Sequence, residues 1–410
     1  MNYMYRVILV LSAIVFLSSC VKEVNLVDLI PESDGSYCDQ PNPDSSFDSF
    51  LWETQFNENL NPIGIDSDPL LYNDQIIVVT SINKDLVFRS YDIDSGIFLS
   101  ETMADIGEMY VKNIELYSDY ILVSTSRSLV VLDAKEFTVL WKKNINGFHP
   151  FNKNYEIADN VIYAPVTKEF NDINSIELLS IDIKDGTLID SKIILTANVT
   201  QSKNFNFSTV ELSDSQNELL IQYKGWLKSG QAFIEVVQYD LSNSNIAWKW
   251  STVDDYLRLS NSRFCGDHIL VVTDSIYILD RLDGNQTKSF SLDYPNYATA
   301  QHPLIRYYDG IAYLKISSVG VIAVDIQDFN IIWSSENYDL LSSNDKEIAE
   351  GKFINTSGGF KVINIGIGEE SIREEMPYTC SYISEYFSFD KEKGIVYFTD
   401  SKRLYAMHIN

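Results

Sequence analysis

Three segments of this chain, VVLDAKEFTVLW, VVQYDLSNSNIAW and IAVDIQDFNIIW, each place a tryptophan eight residues after an aspartate. The pairs are Asp133 with Trp141, Asp240 with Trp248, and Asp325 with Trp333. Looser copies fill the intervals at RSYDIDSGIFL (Asp92), LSIDIKDGTLI (Asp182), YILDRLDGNQT (Asp280) and LYAMHIN, where His408 stands in the aspartate's place. The steps between markers run from 40 to 58 residues, except the last, which is 83 and spans two units. Its midpoint, EGKFINTSGGFKVINIG, aligns with GDHILVVTDSIYILD and makes Asn364 a degenerate marker. That gives eight units, with seven as the alternative. A period of this length specifies an array of small modules that share cores with their neighbours.

One unit reads as four short strands. LRLSNSRF, HILVVT, SIYILD and NQTKSF alternate apolar residues, and the turns CGD and RLDG separate them. Asp bonds nearby backbone and Gly accepts positive φ, so both suit tight turns. A single four-stranded sheet cannot hide both faces from water. Packing the sheets radially buries each face against the next, which predicts an all-β propeller of four-stranded antiparallel blades. The tryptophans then sit on the outer strands, where a flat ring covers the join between blades. The chain stops at Asn410, one strand short of a full unit, and SFLWETQF with Trp52 reads as an orphan outer strand near the start. An N-terminal strand that completes the last blade would close the ring and leave no exposed edge.

These units, with their Asp-turn-Trp spacing, resemble the PQQ-like propeller superfamily over about residues 50–410. Combined with the leader described next, they resemble the lipoprotein propellers of the outer-membrane barrel-assembly machine. The resemblance implies the fold and, by analogy, protein binding in outer-membrane assembly; such a fold carries many functions. The strict form is degraded here, because Asp182 and Asp280 have no tryptophan eight residues on.

MNYMYR followed by VILVLSAIVFL and small residues has the layout of a secretory signal, too short to span a bilayer comfortably. Leu17-Ser18-Ser19-Cys20 resembles a bacterial lipobox, which implies cleavage before Cys20 and its acylation. Val21 is not the aspartate of an inner-membrane retention signal, so the expectation is an outer-membrane lipoprotein on either the periplasmic or the surface side. The organisation expected is a signal peptide over 1–19, a lipidated cysteine and flexible tether over 20–48, and a propeller over 49–410. The tether carries Cys38, and Cys380 lies near the other terminus, so a disulfide between them is one expectation outside the cytoplasm. Cys265, inside SRFCGDHILVV, reads as a small core residue.

The formal net charge is −27, and basic runs are absent. Such a surface repels nucleic acid, which excludes that partner class. No catalytic constellation is visible. Quinoprotein dehydrogenases share the fold but hold their quinone beside a vicinal cysteine disulfide, and no Cys-Cys pair occurs here. His149, His268, His302 and His408 show no metal-ligand spacing, and the repeated acidic pairs suit turn chemistry. Neither a metal nor a cofactor is expected, and the chain reads as a monomer. Candidate partner-binding residues come from segments longer than the repeat requires, read as loops: NINGFHPFNKN (144–154), VTKEFNDIN (166–174), YKGWLKSGQ (223–231) and SLDYPNYATAQHP (291–303). They carry Phe148, His149, Phe151, Phe170, Trp226, Tyr294 and Tyr297, and aromatic residues on loops of a rigid scaffold suit interfaces. The expectation is an envelope scaffold that binds a protein partner. The alternative is a propeller that binds or processes a small ligand or glycan in its central channel.

Overall fold

The computed structural model describes residues 50–56, 68–82, 84–107, 111–125, 127–145, 155–170, 173–198, 205–226, 231–254, 261–273, 275–291, 304–316, 320–335, 346–349, 352–355, 360–364, 369–374, 387–399 and 403–408. All described strands belong to one compact unit, 46–375 with 382–410; the other unit, 1–45 with 376–381, lies outside the described residues. Cys20, Cys38 and Cys380 fall there, so the anchor and the disulfide expectation lie outside them too.

The strands form eight four-stranded antiparallel sheets among the described residues, each ordered as the chain runs except the last. Strand β1 (Phe50–Gln55) comes first. Sheet 1 is β2 (Leu70–Tyr72), β3 (Gln75–Ile82), β4 (Asp85–Asp92) and β5 (Phe98–Asp105). Sheet 2 is β6 (Val111–Tyr117), β7 (Tyr120–Thr125), β8 (Ser128–Asp133) and β9 (Val139–Asn144). Sheet 3 is β10 (Glu156–Ala158), β11 (Val161–Phe170), β12 (Ile173–Asp182) and β13 (Leu188–Asn198). Sheet 4 is β14 (Phe205–Leu212), β15 (Glu218–Trp226), β16 (Ala232–Asp240) and β17 (Asn245–Asp254). Sheet 5 is β18 (Asn261–Cys265), β19 (His268–Val272), β20 (Ser275–Asp280) and β21 (Gln286–Ser291). Sheet 6 is β22 (Leu304–Tyr308), β23 (Ile311–Ile316), β24 (Gly320–Asp325) and β25 (Asn330–Ser335). Sheet 7 is β26 (Lys346–Ala349), β27 (Lys352–Asn355), β28 (Phe360–Asn364) and β29 (Glu369–Glu374). Sheet 8 is β30 (Phe387–Asp390), β31 (Ile395–Thr399) and β32 (Arg403–His408), with β1 as its fourth strand, so that Trp52 faces Ala406.

The middle strands explain the arrangement. In β7 every residue from Ile121 to Thr125 is buried, which a sheet with one wet face would not allow. Ile121 and Val123 join a core with Leu86 and Phe88 of sheet 1, and Leu122 joins Ile162 and Ile181 of sheet 3. Other described cores likewise draw on two consecutive sheets, as with Ile269 toward sheet 4 and Leu270 toward sheet 6. Tyr397 and Leu404 of sheet 8 share a core with Ile76 and Val78 of sheet 1. These are the contacts of a β-propeller, with no helix among the described residues.

The marker aspartates cap the turn before the outer strand. The Asp133 carboxylate accepts the amides of Lys135 and Glu136 at 2.9 and 2.8 Å, and its carbonyl accepts the amide of Phe137 at 2.9 Å. The fifth turn residue takes positive φ, as at Gly186 (72°) and Gly284 (70°). A Cβ on Gly186 would lie 2.8 Å from the Trp141 ring, and one on Gly284 would lie 2.5 Å from that of Trp248. Each ring also donates Nε1–H across the junction, Trp141 to the Ile183 carbonyl at 2.7 Å and Trp248 to that of Arg281 at 2.9 Å. Trp52 lies over Gly96 in the same way, with a Cβ there 2.4 Å from its ring. Trp333 packs with Tyr313, ring centres 6.2 Å apart.

Candidate functional site

First strands approach their counterparts in neighbouring sheets and form the innermost layer. The register identifies one rung that recurs in them. Leu70 faces Ile77, Glu115 faces Leu122, Glu156 faces Tyr163, Glu211 faces Leu220, Arg263 faces Leu270, Arg306 faces Tyr313, and Ser388 faces Tyr397. Ile77, Leu122, Tyr163, Leu220, Leu270 and Tyr397 each pack with the following sheet, and Tyr313 alternates with Ala312 and Leu314, which pack on the preceding one, so the rung is equivalent from sheet to sheet. Around the axis the rung reads as three carboxylates on sheets 2–4, then two guanidinium groups on sheets 5 and 6.

Three of these side chains, Glu211, Arg263 and Ser388, fasten the inner edge of the next sheet. Glu211 accepts the Phe264 amide at 3.1 Å and lies 3.3 Å from the Arg263 guanidinium. Arg263 donates to the Ile305 carbonyl at 2.9 Å, and Ser388 donates to the Pro69 carbonyl in the same relation. Asn113 donates to the Tyr155 hydroxyl at 3.4 Å. Burial pushes the Glu211 carboxyl up to about 7 against the opposing pull of Arg263 and the Phe264 N–H. Burial, helped by the charge of Glu115, likewise holds the Tyr155 phenol well above its ordinary value.

A cavity of about 490 Å³ opens beside this rung. Asp68, Leu71, Glu115, Ser388, Phe389 and Lys391 line it, from sheets 8, 1 and 2. Asp68 is held by the Phe387 amide at 3.1 Å. The size suits a small ligand or one partner side chain. Among the described residues no group of three or more His, Cys, Asp or Glu is placed to hold a metal ion. His268 packs edge-on against Phe329 at 5.5 Å, and His408 ends β32, exposed.

The segments read as binding loops need correction in two places. Residues 166–170 and 173–174 are ladder, with Phe170 opposite Ile173 at the tip of the β11–β12 hairpin. Residues 223–226 are ladder as well, and Trp226 faces Ala232 at the tip of β15–β16. Their polar composition read as loop, yet in a tall hairpin polar and apolar residues share the rungs. Val166 and Tyr223 are fully buried, while the Lys168 and Glu177 side chains form an ion pair. Sheets 3 and 4 are therefore taller than their neighbours. Strands β11 and β12 have 10 residues and β15 and β16 have 9, against 6 in β7 and β8 and 5 and 6 in β19 and β20. Phe148, His149, Phe151, Tyr294 and Tyr297 lie outside the described residues.

The inner rung went unread in the sequence, though its signal is there. Each of IELYSD, YEIADN, VELSDS, SRFCGD and IRYYDG puts one charge inside an apolar run just before the first turn. Aligning the units on that turn, not on the aspartate marker, brings the charges into one column.

No protein-family model matches the chain, and no curated protein matches it. Solved structures do. A europium-containing methanol dehydrogenase is 10% identical with a TM-score of 0.60, over 88% of this chain and 93% of that one. The quinohemoprotein alcohol dehydrogenase ADHIIG from Pseudomonas putida HK5 is 9% identical with a TM-score of 0.56, over 90% and 78%. BamB from Moraxella catarrhalis is 9% identical with a TM-score of 0.43, over 88% and 98%. At these identities the likeness is one of fold. The chain is a β-propeller that resembles the PQQ-like kind.

Proposed function

We propose that this protein is a lipid-anchored, monomeric interaction scaffold of the bacterial cell envelope, with binding and not catalysis as its task. In this reading eight blades form one ring, β1 closes it, and residues 20–48 tether it to the outer membrane through an acylated Cys20. The pairing of β1 with β32 and the core shared by sheets 8 and 1 support the ring. The Leu17–Cys20 motif supports the anchor, and the resemblance to barrel-assembly lipoproteins supports a part in outer-membrane protein assembly.

One observation carries the reading. Sheets 3 and 4 raise the tips of two hairpins, bearing Phe170 and Trp226, above a scaffold whose other described hairpins are shorter. Rigid strands hold an interface more accurately than loops do. Replacing Trp226 and Phe148 together by alanine is expected to leave the fold intact and weaken capture of an envelope protein. In-cell crosslinking with mass spectrometry, followed by pull-down from detergent-solubilised membranes, measures this. An unchanged crosslink pattern and yield would count against the scaffold reading. The cavity by Asp68 and Lys391 favours a second reading, a small-ligand or glycan site in the channel. Binding that is lost in Lys391→Ala and kept in the Trp226 variant would favour it.

A further inference from the structure

Contrary to the expectation that closure leaves no exposed edge, the outer strand of each described sheet keeps one edge that no strand of its own sheet pairs, and natural sheets blunt such edges with lysine, proline or cover. Most outer strands of this propeller are blunted. Lys142 and Lys143 of β9 reach the carbonyls of Ile106 and Gly186, both at 2.9 Å. Lys249 of β17 reaches that of Ile194 at 2.8 Å, and Lys288 of β21 that of Phe329 at 3.2 Å. Lys192 of β13 reaches the Ser244 carbonyl, and in β1 Thr54 reaches that of Gly96 at 2.6 Å. Strands β1, β9, β17 and β25 also carry a tryptophan.

Strand β5, FLSETMAD, has neither a tryptophan nor a cation. It is the last strand of sheet 1, so its outer backbone edge has no partner within that sheet. With its turn it exposes Ile97 (64%), Phe98 (48%), Leu99 (48%) and Met103 (59%), more large apolar side chains than any other described outer strand. After a register shift near Tyr91 the ladder to β4 runs unbroken from Ser100 to Asp105, so the free edge is regular as well as apolar.

We propose that the free edge of β5 is a strand-addition site for an extended segment of a partner protein that alternates apolar and basic residues. Strand addition draws affinity from main-chain hydrogen bonds and specificity from alternate side chains, and β5 offers both. Charge selects the occupant. The chain carries −27 overall, and β5 holds no cation but two acids, the exposed Asp105 and Glu101, the latter met by Arg89 of β4 at 3.0 Å. A second copy is disfavoured on the same ground. Antiparallel self-pairing that sets Leu99 against Met103 also sets Glu101 against Glu101, and like charges opposite one another destabilise a sheet. The site goes beyond the hairpin tips above, and its test is independent of them.

The test uses the full chain and a fluorescent acetylated peptide of alternating valine and lysine, eight residues long. Anisotropy should report binding, and hydrogen exchange should slow at residues 98–105. Phe98→Lys with Met103→Lys supplies the missing guard and should weaken binding by about tenfold or more with the melting temperature unchanged. Met103→Lys alone, at a more exposed position, should give a smaller loss in the same direction. The site is overturned if the peptide does not bind, or if a valine–glutamate peptide binds as well. Protection on another strand, equal binding to the lysine variants, or a dimer of the chain alone by sedimentation would overturn it too. Loss of the Trp226-dependent crosslinks would leave this result untouched, so the two readings fail separately.

Discussion

The junction between sheets 4 and 5 and the junction between sheets 1 and 2 fill the same gap from opposite sides. In the first, Trp248 reaches across from β17 and lies on Gly284. In the second, Ser100 stands where the tryptophan would be, and the ring comes from the turn itself. Phe137 occupies the glycine's place at φ 55° and stacks on Phe88, with centres 4.8 Å and planes 13° apart. The junction of sheets 5 and 6 repeats the second solution. Lys288 holds the tryptophan position, Phe329 the turn at φ 57°, and the ammonium lies 5.3 Å from the ring. Trp52 with Gly96 and Trp141 with Gly186 repeat the first. A bulky residue at positive φ costs about 1–2 kcal/mol, and burying an aromatic ring returns about as much or more. At these junctions a ring from one side or the other fills the gap, and the turn residue is glycine where that ring arrives from the preceding sheet; between sheets 3 and 4 neither position holds a ring, with Asp190 in the tryptophan's place and Ser244 in the turn at φ 49°.

The largest way to break this comparison is to remove the docked ring. Trp248 is buried and hydrogen-bonded, so Trp248→Ala should cost about 3–5 kcal/mol, whereas Ser100→Ala, on an exposed outer strand, should stay within about 0.5 kcal/mol. Denaturant titration with hydrogen exchange resolved to sheets 4 and 5 is the measurement, because arrays of modules need not unfold in one step. Equal costs for the two substitutions would mean that the ring does not hold the junction.

A sharper test converts one junction into the other. Phe137→Gly removes a buried ring and relieves the backbone, for a net loss of about 2–3 kcal/mol. Adding Ser100→Trp to the Phe137→Gly background should restore at least half of that, giving a coupling of about 1 kcal/mol or more in a double-mutant cycle. Additive behaviour would show that ring and glycine are not interchangeable partners.

Much of this was legible because turn and outer strand are local in sequence. Asp133 and Trp141 sit in one hairpin, so their spacing survives as a pattern, and SIYILD with NQTKSF corresponds closely to β20 and β21. The relation of Phe137 to Ser100 was not legible, since the two belong to different units and neither matches the Asp-to-Trp signature. The tall hairpins were misread because Lys168 and Glu177 look like loop residues until the ladder pairs their strands. The charged inner rung escaped for a related reason. It is defined by its distance to the first turn of a unit, and its contacts reach across sheets, as Glu211 does with Phe264 over 53 residues.

That inner contact provides the smallest test, at the other end of the junction that Trp248 closes. Folded Glu211 keeps its proton up to about pH 7, whereas in the unfolded chain it ionises near an ordinary glutamate value of about 4.3. The folded state thus binds more protons through that window, and stability falls as pH rises from about 4.5 to about 7. Glu211→Gln removes the titration and leaves the other groups, Arg263, Glu156 and Asp214 among them. The wild-type advantage over Glu211→Gln should shrink between pH 5 and pH 7.5, by on the order of 1 kcal/mol, with the change concentrated in exchange of the Phe264 amide. An advantage that grows with pH would mean that Arg263, 3.3 Å away, outweighs burial and holds the carboxylate ionised. The inner rung would then be a set of ion pairs, and the sheets would be fastened at the axis by charge as they are at the rim by rings.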